Sequence, residues 1–263
     1  MAKRFEGATA WITGGGTGIG KALALELARR GADVAVSGRR EDRLRSAVTE
    51  IEALGRHAIP VVCDVTDEQS VEAAAQRVAD EFGGISITVA NAGYAVSGRL
   101  ETLSAEDWRR QLDVNVVGLA STAKHALPHL KRSRGRLGLV GSVAAFMPVA
   151  KTGAYVASKY AVRAIGQTLC IELAGSGVSC TTMHPGFVES EIAQVDNAGV
   201  HDGSRKDKRP QNLMWTSDKA GRVMADALYK RKKELVFTGH GKVGAFFGQH
   251  FPGLAVLAQT RGK

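Results

Sequence analysis

The sequence predicts one α/β domain, a doubly wound parallel sheet of about seven strands with helices on both faces. Short apolar runs bounded by Gly, Asp or Asn alternate with longer segments in which apolar residues recur every three or four positions. These two patterns are typical of buried strands and of helices, respectively. Strict alternation of strand and helix requires right-handed crossovers between parallel strands. The 263 residues are enough for one large unit of this kind.

The predicted elements follow one another along the whole chain. Strands are predicted over residues 8–13, 32–37, 58–63, 85–90, 136–141, 178–184 and 234–238. Helices are predicted over residues 19–30, 41–54, 67–82, 104–130, 153–174 and 217–230. No linker separates two domains, so residues 1–240 are expected to form one domain, with a lid-like loop at about 190–213 and a basic and apolar tail over 241–263.

The composition excludes several classes of protein. Hydrophobic residues make up 44% and charged residues 23% of the chain, which excludes a disordered, collagen-like or disulfide-stapled protein. The three cysteines have no C-x-x-C spacing, so we expect buried free thiols and a reducing, cytoplasmic environment. We find no signal-peptide pattern and no apolar run long enough to span a membrane.

The positive charge is confined to one end of the chain. The net charge is +9, but residues 1–204 hold 22 basic and 22 acidic side chains, so the whole excess lies in the last 59 residues. Nucleic acid binding is therefore not expected. Basic residues of the loop (Arg205, Lys206, Lys208, Arg209) and of the segment 230–233 precede an apolar tail. A tail packed on a partner subunit is the favoured interpretation, and peripheral contact with an anionic membrane is the alternative.

A glycine-rich turn joins the first strand to the first helix. Residues 13–20 read T-G-G-G-T-G-I-G, which places bare backbone amides and a helix N-terminus where a pyrophosphate can bind. A P-loop would need a hydroxyl at position 22, which is Ala, and the G-x-G-x-x-G fingerprint would need Gly at position 21, which is Lys. The observed pattern is T-G-x-x-x-G-x-G.

Further motifs follow the later strands in order. Asn91-Ala92-Gly93 follows the fourth strand, Ser142 follows the fifth, Tyr155-x-x-x-Lys159 opens the next helix and Pro185-Gly186 follows the sixth strand. Together with Asn115 and the glycine turn, this set resembles the short-chain dehydrogenase/reductase family over about residues 5–190. Each element alone is weak, but all of them in register are highly specific.

The resemblance implies a Rossmann-like fold and an activity. Residues 1–240 would form an NADP-binding and catalytic domain, an oxidoreductase that interconverts a carbonyl and a secondary alcohol on a hydrophobic small molecule. Tyr155 would be the general acid and base, with Lys159 favouring its phenolate and binding the nicotinamide ribose. Ser142 would hydrogen-bond the substrate oxygen, and Asn115 would anchor a water chain to the lysine.

The same resemblance implies a set of cofactor-binding residues. Gly38 stands where NAD-specific members carry Asp, and Arg39 beside it can pair with a 2′-phosphate, so NADP is predicted over NAD. Thr17 occupies a position where many NADP-using relatives have a basic residue. The implied cofactor site comprises Gly14, Gly16, Thr17, Gly18, Ile19, Gly20, Arg39, Asp64, Val65, Asn91, Ala92, Gly93, Tyr155, Lys159, Pro185, Gly186, Val188 and Ser190.

The sequence says less about the substrate pocket and the oligomeric state than about the cofactor site. The residues placed near the expected pocket are mostly apolar: Tyr94, Val143, Ala144, Met147, Pro148 and Phe187. No metal site is predicted, since His184, His125 and His129 have no further ligand. Relatives imply a homodimer or homotetramer through the fourth helix and the Tyr155 helix. A dinucleotide-binding regulator without turnover stays an alternative, whereas epimerase chemistry on nucleotide sugars is disfavoured by chain length and turn.

Overall fold

The computed structural model describes residues 4–207 and 209–260 and confirms the predicted architecture. Seven parallel strands form one sheet in the order β3-β2-β1-β4-β5-β6-β7. Lys208 of the predicted basic cluster and residues 261–263 of the tail lie outside the described residues. The strands are β1 (Thr9–Thr13), β2 (Asp33–Gly38), β3 (Ala58–Val62), β4 (Ile87–Ala90), β5 (Arg136–Val140), β6 (Ser179–His184) and β7 (Glu234–Val236).

Helices cover both faces of this sheet. Apolar residues of α1 (Gly18–Arg29), α2 (Glu41–Glu52) and α7 (Ser217–Tyr229) form one core layer. Those of α3 (Glu68–Phe82), α5 (Gly118–Ser133) and α6 (Gly153–Glu172) form the other. The strands are buried from both sides, which explains why they are nearly continuous apolar runs rather than alternating ones.

The long helix predicted over residues 104–130 is interrupted. It consists of α4 (Ala105–Leu112), one π-helical turn over Asp113–Val117, and α5. A π turn inserts one extra residue and is often found at functional sites. Asn115 lies in this turn, and its amide contacts Tyr94 and Ser158. Apolar periodicity did not reveal the interruption, because both flanking helices keep the period of the α-helix.

The tail is helical, which the sequence did not predict. It forms α8 (Gly239–His250) and α9 (Pro252–Thr260). The inner face of α8 consists of small residues, and a Cβ at Gly248 would lie 2.3 Å from the carbonyl oxygen of Phe146. Glycines that let a helix pack closely on another backbone leave no periodic apolar pattern in the sequence, which is why α8 was not predicted.

Large apolar side chains remain on the surface of this tail. Phe246 is 55% exposed and contacts Phe247 and Phe251, and Leu254 is 57% exposed. No helix in the described part of the chain is long and apolar enough to cross a membrane. On α6, Ile171 is also exposed, on one of the helices for which subunit contact is expected. Subunit association and membrane contact stay predictions.

The order of strands reverses between β1 and β4, which places a crevice at their carboxyl ends. In sheets of this topology, ligands bind at such a switch point. The glycine turn follows β1, and Asn91, Ser142 and Pro185 follow β4, β5 and β6 in turn. The fold therefore gathers the motifs of the sequence at one edge of the sheet.

We predict that Gly166→Ala destabilises the protein although alanine favours helices. A Cβ at Gly166 in α6 would lie 1.9 Å from the Thr182 hydroxyl of β6, so helix and sheet would have to separate. Overpacking of this kind typically costs about 1–3 kcal/mol. Gly253→Ala in α9 is the control, because its Cβ would meet nothing within 4 Å. Urea unfolding measures both, and equal stability of the two variants would contradict this account of the α6–β6 contact.

Candidate active site

The start of α1 is open to an anion. Its N-cap residue, Thr17, makes no side-chain capping bond, and the first turn of the helix holds no acidic residue. The free N–H groups at a helix N-terminus attract phosphate by hydrogen bonding and through the helix dipole. Gly18 has φ of +53° and Gly14 has φ of +63°, conformations that glycine adopts without strain. The turn can therefore present bare amides to a ligand.

Asn91 clamps this turn from the neighbouring strand. Its side-chain amide donates to the carbonyl oxygens of Thr13 at 2.9 Å and Gly14 at 3.0 Å. The Thr13 hydroxyl in turn accepts hydrogen bonds from the backbone N–H groups of Asn91 and Ala92. A Cβ at Gly20 would lie 2.4 Å from the Asn91 amide nitrogen, so the clamp requires glycine there. The Asn91 side chain thus shapes the turn.

Ser142 and Tyr155 meet beside the crevice. Ser142 follows β5 and accepts a hydrogen bond from the N–H of Ala144 at 3.1 Å, and Tyr155 lies in the first turn of α6. Burial raises the pKa of the Tyr155 hydroxyl, while the hydrogen bond with Ser142 and the charge of Arg209 act to lower it. The net direction is upward, so the phenol carries its proton at neutral pH.

Lys159 lies one helical turn after Tyr155 and is buried. Its Nζ donates to the carbonyl oxygen of Val140 at 2.9 Å and stands 5.8 Å from the centre of the Tyr155 ring. Burial lowers the pKa of this amine to about 8. The amine is still protonated at neutral pH, so an ammonium charge stands beside the phenol.

Both the nitrogen and the oxygen of the Asn115 side-chain amide are hydrogen-bonded within the protein. Its amide nitrogen donates to the carbonyl oxygen of Tyr94 and to the hydroxyl of Ser158, both at 3.0 Å, and its oxygen accepts from the N–H of Tyr94. These bonds connect the π turn to α6 and to the chain after β4. The water chain to Lys159 stays a prediction.

Two arginines follow β2 near the glycine turn. Arg39 donates to the carbonyl oxygen of Gly199, and Arg40 lies 3.4 Å from the Thr17 hydroxyl. The sequence lacks a basic residue at position 17, but Arg40 supplies a guanidinium at that place in space. Sequence analysis did not assign Arg40 to the site, because its approach to Thr17 depends on how β2 lies beside β1.

Arg209 is a second site residue that the motifs did not indicate. It comes from the loop between β6 and α7, and its guanidinium donates to the carbonyl oxygens of Val188 and Ser190 and pairs with Asp207. Ser190 adjoins Gly18, where an added Cβ would lie 3.2 Å from the Ser190 Cβ. Arg209 therefore brings a positive charge close to the start of α1. Only the course of the loop places it there, so no sequence motif could have found it.

The other predicted cofactor residues line the same edge. The Asp64 carboxylate accepts from the N–H and hydroxyl of Thr66, and the Pro185 carbonyl accepts from the N–H of Val143. Val65 is buried against Gly118, and a Cβ at Gly186 would meet the Thr238 hydroxyl. The structure places these residues at the carboxyl edge of the sheet, and their binding roles remain predictions.

His184 anchors the backbone of Ser142. Its Nδ1 lies 3.1 Å from the Ser142 carbonyl oxygen and its Nε2 lies 3.1 Å from a Glu234 carboxylate oxygen. Hydrogen bonding from His184, and further from Arg163, outweighs burial and lowers the pKa of Glu234 to about 2. The buried imidazole thus links the end of β5 to β7. Within residues 4–207 and 209–260, no group of three or more potential ligands is arranged to hold a metal.

The first helix of the tail packs beside the expected substrate residues. A Cβ at Gly241 would lie 2.9 Å from Val143, and one at Gly244 would lie 2.9 Å from the Met147 sulfur. The ring of His240 stacks on Phe187 with 5.1 Å between centroids. The tail therefore covers residues of the expected pocket within its own chain.

Comparisons with known proteins agree with this geometry. The sequence model described as short chain dehydrogenase matches residues 8–201. An uncharacterized oxidoreductase of Myxococcus xanthus is 38% identical over 190 residues, which cover 72% of this chain and 75% of the relative. The strand order and the site motifs are thus accompanied by similarity across most of the chain.

Two solved structures are similar over 88% of this chain. An alcohol dehydrogenase from Thermococcus sibiricus, complexed with 5-hydroxy-NADP, shares 31% identity with a TM-score of 0.76 over 96% of its length. A short chain dehydrogenase/reductase from Burkholderia phymatum, in complex with NAD, shares 26% identity with a TM-score of 0.80 over 89% of its length. Fold, motifs and similarity together show that the chain belongs to the short-chain dehydrogenase/reductase family of oxidoreductases.

Proposed function

We propose that this protein is an NADP(H)-dependent oxidoreductase that interconverts a carbonyl and a secondary alcohol on a small hydrophobic molecule. One observation carries the proposal: Tyr155, which interacts with Ser142, lies beside the buried Lys159, whose Nζ is 5.8 Å from the centre of the Tyr155 ring. This arrangement can hold an oxygen atom and exchange a proton with it. The similarity to the alcohol dehydrogenase from Thermococcus sibiricus supports the assignment to alcohol and carbonyl chemistry.

The residues around the glycine turn fit a dinucleotide. The uncapped start of α1 offers amides to the diphosphate, and the glycines keep the backbone of the turn free of side chains. Arg39 and Arg40 supply charge for a 2′-phosphate, and Gly38 removes the carboxylate that would repel it. The bound cofactor supplies a hydride in reduction and accepts one in oxidation.

The proton steps belong to the chain itself. In reduction, the Tyr155 hydroxyl donates its proton to the substrate oxygen while the Ser142 hydroxyl holds that oxygen by a hydrogen bond. The ammonium of Lys159 stabilises the phenolate that remains, as a neighbouring opposite charge does. His184 keeps the Ser142 backbone in place from behind.

The walls of the expected pocket support a hydrophobic substrate. Met147 and Phe187 border it, Val143 follows Ser142, and α8 packs against all three of these residues. Apolar walls around a few polar groups are typical of small-molecule sites. The tail therefore contributes to substrate selection in this proposal.

We expect Tyr155→Phe to lower turnover by about a hundred- to ten-thousandfold, because it removes the proton donor. Binding of NADPH should change little, since the cofactor contacts lie mostly elsewhere. A panel of aldehydes and ketones with NADPH, followed by nicotinamide absorbance, tests turnover, and fluorescence titration tests binding. Tyr160→Phe, on the exposed side of the same helix, is the control and should keep full activity. Full activity in Tyr155→Phe would refute the assignment.

We expect Arg39→Asp to weaken NADPH binding by about tenfold or more while changing NADH binding much less. The substitution replaces a cation by a carboxylate that repels the 2′-phosphate. Arg45→Asp makes the same charge change on α2, where Arg45 pairs with Glu41. Titration of both cofactors into both variants measures the effect. A variant at position 39 that keeps its NADPH preference would contradict the cofactor assignment.

We expect wild-type stability to rise with pH relative to Lys159→Met. Below about pH 8 both the folded and unfolded lysine are protonated, so the cost of burying the charge is fully present. Between the folded pKa of about 8 and the ordinary lysine pKa of 10.5, the folded state gives up its proton first and this cost disappears. The relative gain is at most about 3 kcal/mol. Urea unfolding at neutral pH and near pH 10 measures it, and a pH-independent difference would contradict a buried ammonium.

A further inference from the structure

The two arginines after β2 already hold the loop between β6 and α7, which we call the lid (residues 190–213). Nη2 of Arg40 lies 2.6 Å from Oε2 of Glu191, the residue that directly follows Ser190. Nη2 of Arg39 donates to the Gly199 carbonyl oxygen at 3.0 Å. The lid is therefore tied to the side of the crevice where the 2′-phosphate of NADP would be bound.

The Glu191 carboxylate is the anion of this contact. It is partly buried, at 27% exposure, and His201 approaches it at 3.6 Å from within the lid. Burial acts to raise the pKa of this carboxyl, but the hydrogen bond from Arg40 and the charges of Arg40, His201 and Arg43 bring it below its ordinary value. Glu191 is thus ionised at neutral pH and neutralises Arg40.

We propose that Glu191 is a cofactor-specificity residue that competes with the 2′-phosphate for Arg40. This inference rests on the proposed function, because it assumes that a dinucleotide binds at the glycine turn. A 2′-phosphate carries nearly two negative charges at neutral pH and takes the Arg40 guanidinium from the single carboxylate. A dinucleotide with a 2′-hydroxyl leaves the pair intact.

Two consequences follow from the position of Glu191. The carboxylate lowers the affinity for phosphorylated cofactors only, so it sets the ratio between NADP(H) and NAD(H) binding. Its displacement also releases the lid from Arg40, beside Ser190 at the start of the lid. Occupation of the 2′-phosphate site is thereby coupled to the contact between Arg40 and the lid.

The size of the effect follows from the exposure of the pair. Arg40 is 40% exposed, so solvent screens its bond to Glu191 and the pair contributes little more than a surface ion pair. Removing the competing charge should therefore tighten binding of 2′-phosphorylated ligands by about three- to tenfold. The gain should shrink at high salt, as for any exposed charge interaction.

The test uses Glu191→Gln in the full chain, with NADPH, NADH, adenosine 2′,5′-bisphosphate and ADP as ligands in calorimetric titration. We expect about three- to tenfold tighter binding of NADPH and of the bisphosphate, with NADH and ADP unchanged. Glu189→Gln is the matched control: it removes the same charge two residues earlier, from an exposed side chain with no ion pair in the described part of the chain. It should leave all four affinities unchanged.

Each other outcome overturns the inference in a distinguishable way. Equal changes in the affinities for NADPH and NADH would show that Glu191 acts on the lid alone. Unchanged affinities would show that Glu191 does not compete with the 2′-phosphate for Arg40. In the double variant with Arg40→Gln, the gain from Glu191→Gln should disappear, and its persistence would also contradict competition for Arg40. If the wild-type protein binds neither dinucleotide, the proposed function itself fails.

Discussion

The site depends on the close contact between the glycine turn and β4. Asn91, directly after β4, donates to the carbonyl oxygens of Thr13 and Gly14 at the end of β1, and the absence of side chains at Gly14 and Gly20 allows this approach. The contact holds the first N–H groups of α1 toward the crevice at the point where the strand order reverses. A side chain at either glycine would separate the two strands and redirect α1.

Stability and the proposed function oppose each other at Lys159 in α6. Lys159 is buried with one backbone acceptor, and burial lowers its pKa to about 8, which costs the folded state free energy. The same burial keeps its charge strong beside Tyr155, because solvent does not screen it. His184 and Glu234 compensate locally by tying the backbone of Ser142 to β7. The proposed chemistry therefore rests on charges that the core holds in place.

Part of the positive charge at the crevice comes from residues outside the sequence motifs. Arg40 in the electrically balanced part and Arg209 in the lid both reach the crevice, although neither belongs to a sequence motif. Arg209 is the one residue of the basic C-terminal excess that contacts the predicted cofactor site within the described residues. Arg231, from the same basic segment, instead donates to the carbonyl oxygens of Arg134, Gly135 and Gly177, near the amino ends of β5 and β6.

Sequence alone determined the doubly wound parallel architecture, the boundaries of most elements to within a few residues, and the motif residues at the carboxyl edge. It could do so because buried strands, amphipathic helices and glycine turns leave local patterns of apolar residues and glycine. Only the tertiary structure decided the π turn at Asn115, the helical tail, and the placement of Arg40, Arg209 and Glu191. These features arise from contacts between residues far apart in the chain, as between Arg40 and Glu191, and such contacts leave no periodic signal in the sequence.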